Sequence, residues 1–209
     1  MNELKNLVTV IVINYKTADL TSKCLKAIRH FYPDISILLI DNSIYDVHSD
    51  KLYEIAKNDT NIISVFNTFN LHHGPSMDLG IKIIRTSYTL IIDSDAFMVK
   101  EGIIEAMLTK RARIGNEWLM VGNITPVDED GIDIKESAIS IPYGDPKCML
   151  LNKEMYFKLP NFIRHGAPCI NTMKHIKYNN LGHLLIHLNW PDYVYHTRGG
   201  TRRRYGIGL

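Results

Sequence analysis

The sequence predicts an α/β protein built on a doubly wound, mostly parallel sheet flanked by helices. Three observations lead there. Four short apolar runs, LVTVIVIN (7–14), ISILLID (35–41), IISVF (62–66) and YTLIID (88–93), are rich in β-branched residues and lack polar alternation, as strands buried on both faces do. Segments with helical spacing separate them. Strands that alternate with helices in this way pair in parallel through right-handed crossovers.

Taken in order, residues 7–14 form the first strand. Thr17 or Asp19 caps the helix that follows, whose apolar stripe is Leu20, Cys24, Leu25 and Ile28; Pro33 and Asp34 end it. Strand 35–41 leads to a short helix, DKLYEIAKN (50–58), and strand 62–66 to a helix over 74–87 that starts near Pro75, where a missing N–H costs nothing. Strand 88–93 precedes a helix over 100–110. The second half is less regular. WLMVGNI (118–124), ESAISIPY (136–143) and HLLIHL (183–188) read as strands, and LNKEMYFKL (151–159) and APCINTMKHIKYNN (167–180) as helices.

With no Pro/Gly/Ser-rich linker between the halves, the reading is one domain over 1–209. Residues 1–110 form a ligand-binding half, and 111–209 carry the acceptor or partner side and a C-terminal basic loop. The chain has 209 residues, 45% hydrophobic and 22% charged, with a net charge of +2, so no global field selects a polyanionic partner. Cys24, Cys148 and Cys169 are odd in number and widely spaced, which predicts reduced thiols, an intracellular setting and no structural zinc site. No apolar run reaches transmembrane length, and the N-terminal run lacks a signal-type cleavage region. The location expected is cytoplasmic, with a peripheral place at a membrane as the alternative.

In open parallel sheets, ligands bind beyond the carboxyl ends of the strands. Three polar clusters stand there: Asn14 and Tyr15, Asp41 and Asn42, and Asp93 to Asp95 in LIIDSDAF (90–97). Any one of them also suits an ordinary turn or helix cap. Strand alternation puts Asp93 and Asp95 on one face, about 7 Å apart along the backbone. Two such carboxylates repel unless something positive or watery lies between them. The phosphatase pattern D-x-D-x-[TV] fails at Phe97 and sits after the wrong strand. A dinucleotide site needs a glycine turn where NYKTADL stands, and a Walker A loop is missing. A hard cation, Mg2+ or Mn2+, bridging the pair to a diphosphate fits the chemistry best.

The order VTVIVINYKTADLTSKCLKAI, ILLIDNS, NLHHGPSMDLGIK, YTLIIDSDAFM resembles family 2 glycosyltransferases of the GT-A fold, over residues 7–105. The resemblance implies a metal-dependent transfer of a sugar from a nucleotide-diphosphate donor, UDP-linked by expectation, to a hydroxyl on a glycan, a lipid-linked saccharide or a protein. It implies that Asn14, Tyr15, Asp41 and Asn42 hold the nucleotide, that Asp93 faces the ribose or sugar, and that Asp95 ligates Mn2+ or Mg2+. In the family's N-x-G…N-x-G segment, Asn70 and Gly80 agree, while His72 stands at the first Gly and Asp78 at the second Asn, beside the donor sugar. DYVYHTRGGTRRRYG (192–206) resembles a late His and basic loop that some members fold over the diphosphate; this makes His196 a third metal ligand and Arg198 or Arg202 a diphosphate clamp.

An inverting transferase needs a general base, which the family usually supplies as an Asp at a helix start. The matching stretch, FIRHGAPCINTMKHI, has no acid. His165, Asp145 and Asp192 are the candidates, and a retaining route without a dedicated base is the alternative. The other readings are a nucleotidyltransferase, a sugar-nucleotide-binding protein without catalysis, and a nucleic-acid-binding module using the Arg-rich C-terminus. The last is disfavoured because Trp and Phe are not interleaved with the arginines.

Overall fold

A computed structural model describes residues 4–112, 115, 117–197 and 199–205, with the side chains of 201 and 202 excepted. Helix α1 (Leu4–Leu7) leads into β1 (Val8–Asn14), α2 (Ala18–Phe31), β2 (Ser36–Asp41), α3 (Val47–Lys57), β3 (Ile62–Phe66), α4 (His73–Ile83) and β4 (Tyr88–Asp93). Then come β5 (Ala96–Met98), α5 (Ile103–Ala112), β6 (Met120–Val127), β7 (Ile141–Asn152), α6 (Lys153–Tyr156) and α7 (Ile170–Tyr178). A 3-10 turn (Gly182–Leu184), β8 (Leu185–His187), β9 (Val194–His196) and α8 (Gly200–Tyr205) are the last elements among the described residues.

The main sheet runs β3-β2-β1-β4-β7-β6-β8, and β5 pairs with β9 in a second, small sheet. β1 is parallel to β2 and β4, β2 to β3, and β6 to β8, while β7 runs antiparallel between β4 and β6. The four apolar runs are strands whose two faces feed two cores. Val8, Val10, Val12, Leu39 and Ile92 pack with Leu25 and Ile28 of α2 and Ile103 of α5. Ile11, Ile40 and Ile91 pack with Met77 and Ile81 of α4 and Met173 of α7. Burial on both sides is the physical cause of the unbroken hydrophobic runs.

Helix α3 starts earlier than its apolar pattern indicates because Asp46 caps it, its carboxylate accepting from the N–H of His48 and Ser49 at 2.8 and 3.3 Å. The larger departures lie in the second half. β7 extends to Asn152, through residues expected to be loop and the start of a helix. Gly144 and Pro146 fall past the expected strand end at residue 143; Pro146 lies beyond the last β4 pair, Ile92 opposite Cys148, and within the β6 register shift between Gly122 and Ile124. No ladder hydrogen bond is asked of its missing N–H there. The C-terminal basic loop is also corrected: Gly200–Tyr205 is helical.

From β1 the chain winds outward to β2 and β3, then returns to place β4 on the other side of β1. The winding direction thus reverses between β1 and β4, and the crevice beyond their carboxyl ends is where such sheets bind ligands. No helix among the described residues is long and apolar enough to cross a membrane.

Candidate active site

Asp93 ends β4, and Asp95 sits in the tight turn before β5. The β5–β9 pairing sets Ala96 opposite His196, which carries the imidazole to both carboxylates. His196 Nε2 lies 3.2 Å from Asp93 Oδ2 and 3.0 Å from Asp95 Oδ1. One ligand atom from each of the three residues falls within 4.8 Å of the others. An octahedral Mg2+ or Mn2+ ion, with ligands at about 2.1 Å, separates neighbouring ligand atoms by about 3 Å. Two carboxylate oxygens and an imidazole nitrogen at these separations fit such an ion in spacing and in donor chemistry.

Asp95 is 8% exposed. Its Oδ2 accepts from Thr197 Oγ1 at 2.7 Å and from the Gly200 N–H at 2.8 Å, leaving Oδ1 toward His196. Burial alone would raise the Asp95 carboxyl, but hydrogen bonds from His196, Thr197 and Gly200 outweigh it and hold the group well below the usual carboxylate range. Burial likewise works to lower His196. The hydrogen bonds and charges of Asp93 and Asp95 outweigh it and push the imidazole up to about 9.

Behind the crevice lies a polar network. Asp41 is 1% exposed. Its Oδ1 accepts from Asn14 Nδ2 at 2.7 Å, Ser43 Oγ at 2.6 Å and the Ser43 N–H at 3.1 Å, and its Oδ2 accepts from Ser49 Oγ. Asn14 Oδ1 in turn accepts from Thr17 N–H, Thr17 Oγ1 and Thr21 Oγ1, at 3.2, 3.0 and 2.7 Å. Asn42 donates to Ser76 Oγ and accepts from Asn67 Nδ2, at 2.9 and 2.8 Å. All three side chains are spent inside the protein, and Asp41 and Asn14, with Ser43, set the turn that carries half-buried Tyr15 and Lys16, the latter with φ 54°. Asp41 thus supports the turn between β1 and α2.

Asn70 Oδ1 accepts from the His72 N–H at 2.8 Å, shaping the entry to α4. Asp78 is tied to Tyr156 by that residue's hydroxyl at 2.8 Å, and to Lys82 at 2.6 Å. It therefore braces α4 against α6. His165 lies on the loop before α7, its ring 5.0 Å from that of His72. That loop is fastened to α4 by the Gly74 N–H, which donates to Arg164 O at 3.2 Å. A Cβ on Gly74 would come within 2.5 Å of the same oxygen.

Asp145 also reaches this end of the sheet: it lies three residues before Cys148, the partner of Ile92, on an antiparallel strand. Lys147 Nζ neutralises it at 2.8 Å. Asp192 does not join the site. It occupies an exposed turn before β9, at the opposite end of that strand from His196. Arg198 lies outside the described residues, as does the side chain of Arg202. Arg204 is committed to Asp19, with bonds of 2.6 and 2.8 Å, and Tyr205 Oη donates to Lys16 O at 2.8 Å. In the sequence His72 and His73 read as ordinary loop histidines rather than groups at a metal; the structure instead makes His73 the first residue of α4, with its Nε2 3.5 Å from Asp93 Oδ1.

A comparison with curated proteins returns no match. Among solved structures, the protein is similar to the mannosyltransferase PcManGT from Pyrobaculum calidifontis in complex with GDP-Man and Mn2+: TM-score 0.67, 15% identity, 87% of this chain and 54% of that one. It is also similar to S. aureus TarS 1–349 in complex with UDP-GlcNAc: TM-score 0.62, 14% identity, 90% of this chain and 58% of that one. The chain thus spans little more than half the length of these proteins, and at such identities the likeness is one of fold, the GT-A arrangement. Sequence evidence goes further: the profile described as glycosyl transferase family 2 matches residues 9–181, most of the chain, and the protein belongs to that family.

Proposed function

We propose that the protein transfers a sugar from a nucleoside-diphosphate donor to a hydroxyl acceptor, with a divalent cation held by Asp93, Asp95 and His196. The observation that carries this reading is the convergence of those three side chains at the point where the sheet reverses its winding, in a chain of glycosyltransferase family 2. When bound, Mn2+ or Mg2+ offsets the charge that builds on the departing diphosphate. The protein's own groups do the rest. Asn14 and Asp41 hold the turn that presents Tyr15 to the base of the nucleotide. Asp93 orients the ribose and sugar. The acceptor oxygen attacks the anomeric carbon, the bond from that carbon to the diphosphate oxygen breaks, and His165 takes the acceptor proton, a role its solvent-exposed place beside the α4 N-terminus supports.

The donor expected is UDP-linked. The experiment is a screen of UDP-glucose, UDP-GlcNAc and GDP-mannose for thermal stabilisation and for release of the nucleoside diphosphate, with Mn2+ or with chelator, on wild type and Asp95→Asn. The expected result is stabilisation by one donor that needs the cation and is lost in Asp95→Asn. Equal behaviour with chelator and with Mn2+, or in both proteins, would defeat the cation reading.

A further inference from the structure

The two oxygens of the Asp93 carboxylate face different imidazoles. Oδ2 lies 3.2 Å from His196 Nε2, and Oδ1 lies 3.5 Å from His73 Nε2. His73 stands outside the Asp93/Asp95/His196 group and comes from the opposite wall, as the first residue of α4. Its side chain is 27% exposed and that of Asp93 21%, so the contact is partly solvated and gives little stability by itself. The backbone on either side of His73 is nevertheless held firmly. His72 has φ 65°, in the left-handed region, and its N–H donates to Asn70 Oδ1. Gly74 donates to Arg164 O and has no room for a side chain. A histidine with neighbours so constrained is aimed at Asp93.

We propose that His73 is a positioning residue for the cation, an inference that rests on the cation reading above. Asp93 ends a strand, and its side chain would otherwise be free to rotate or to offer both oxygens to an ion. A carboxylate rotation of a few tenths of an ångström brings the 3.5 Å contact within hydrogen-bond length. With Nε2–H of His73 donated to Oδ1, Oδ2 stays turned toward His196 Nε2 and Asp95 Oδ1, and Asp93 binds the ion through one oxygen. Outer partners of this kind orient metal-binding carboxylates, and losing one costs about 10–100-fold in metal affinity. His73 thus reaches the ion through Asp93 and does not touch it.

The test uses Mn2+ alone as the probe, titrated into the full chain and followed by the electron paramagnetic resonance of free Mn2+. Pulsed spectra count the nitrogens bound to the ion, and a melting curve accompanies each variant. His73→Ala is expected to weaken Mn2+ by about 10–100-fold without shifting the melting temperature. His73→Gln, whose amide N–H has a similar reach, is expected to stay close to wild type. One bound imidazole nitrogen, that of His196, should remain in all three proteins. Wild-type affinity in His73→Ala overturns the proposal. So does an equal loss in both variants accompanied by the loss of one nitrogen, which would make His73 a direct ligand. If wild type itself takes up no Mn2+ and Asp95→Asn behaves identically, the cation site falls and His73's role with it, a result distinct from the other two.

Discussion

Replacing Asp41 by Ala should act on stability before it acts on ligand binding. The carboxylate takes hydrogen bonds from Asn14, from the amide and hydroxyl of Ser43, and from Ser49. After truncation, Asn14 Nδ2 keeps its bond to Ser43 Oγ at 2.9 Å. The Ser43 N–H, the Ser43 hydroxyl and the Ser49 hydroxyl lose their acceptor in a region shut off from water. Each stranded donor costs about 1–3 kcal/mol, and the hydroxyls recover part of that by turning or by taking up water, so the total is about 3–5 kcal/mol. For a domain of this size the melting temperature should drop by roughly 6–20 °C. Asp41→Asn is the informative companion. Its oxygen can serve Asn14 and Ser43, and its amide can donate to a Ser49 hydroxyl that turns to accept, so the expected cost is about 1 kcal/mol. Calorimetric melting of both variants beside wild type, followed by donor titration, separates support from contact. If Asp41→Ala melts with wild type while donor binding disappears in both variants, the carboxylate meets the nucleotide directly and the network argument is wrong.

Two further outcomes follow from the same geometry. Gly74→Ala would drive a methyl to within 2.5 Å of Arg164 O, so the loop bearing His165 must lift from α4; a loss of about 1–3 kcal/mol and a turnover defect exceeding any change in donor affinity are expected, and unchanged turnover would show that the loop's seat is unimportant. Cation affinity should also depend on pH. The His196 pKa is raised from 6.5 to about 9 in the cation-free protein, so its protonated form stabilises the fold fully below about pH 6.5, and that contribution is lost as pH rises through about 9. An ion must displace this proton, so calorimetric Mn2+ affinity should climb by up to about tenfold per pH unit between about pH 6.5 and 8, with about one proton released on binding. A flat pH profile would remove His196 from the ligand set.

The first half of the fold was open to sequence reasoning because its determinants are local. Apolar runs in 7–14, 35–41, 62–66 and 88–93 can be satisfied only by burial on both faces, and each is a strand with bounds within a residue or two of those read from the chain. The same locality brought Asn14, Asp41 and Asp93 to one edge, since parallel strands joined by crossovers must end together. Of β7 only residues 141–143 were legible; its run to Asn152 was not, because Gly144 and Pro146 carry breaker signals, and at Pro146 a register shift and the end of the β4 ladder make the missing N–H harmless.

The site divides along the same line. The sequence by itself determined that two carboxylates follow a buried strand, and that a histidine and four arginines lie near the other end of the chain. The family resemblance named His196 beside the aspartates, but only tertiary structure shows the imidazole within 3.2 Å of Asp93 and 3.0 Å of Asp95. That contact depends on a three-residue pairing of β5 with β9 across about a hundred residues of chain, too short to leave a periodic signal. It also decided that Asp41 faces inward, that Arg204 is spent on Asp19, and that His73 faces Asp93 from a different wall. Composition and spacing constrain which groups a segment offers. Which of a carboxylate's two oxygens is free, and what faces it, is set by neighbours distant in sequence whose positions follow from packing the two cores against the sheet.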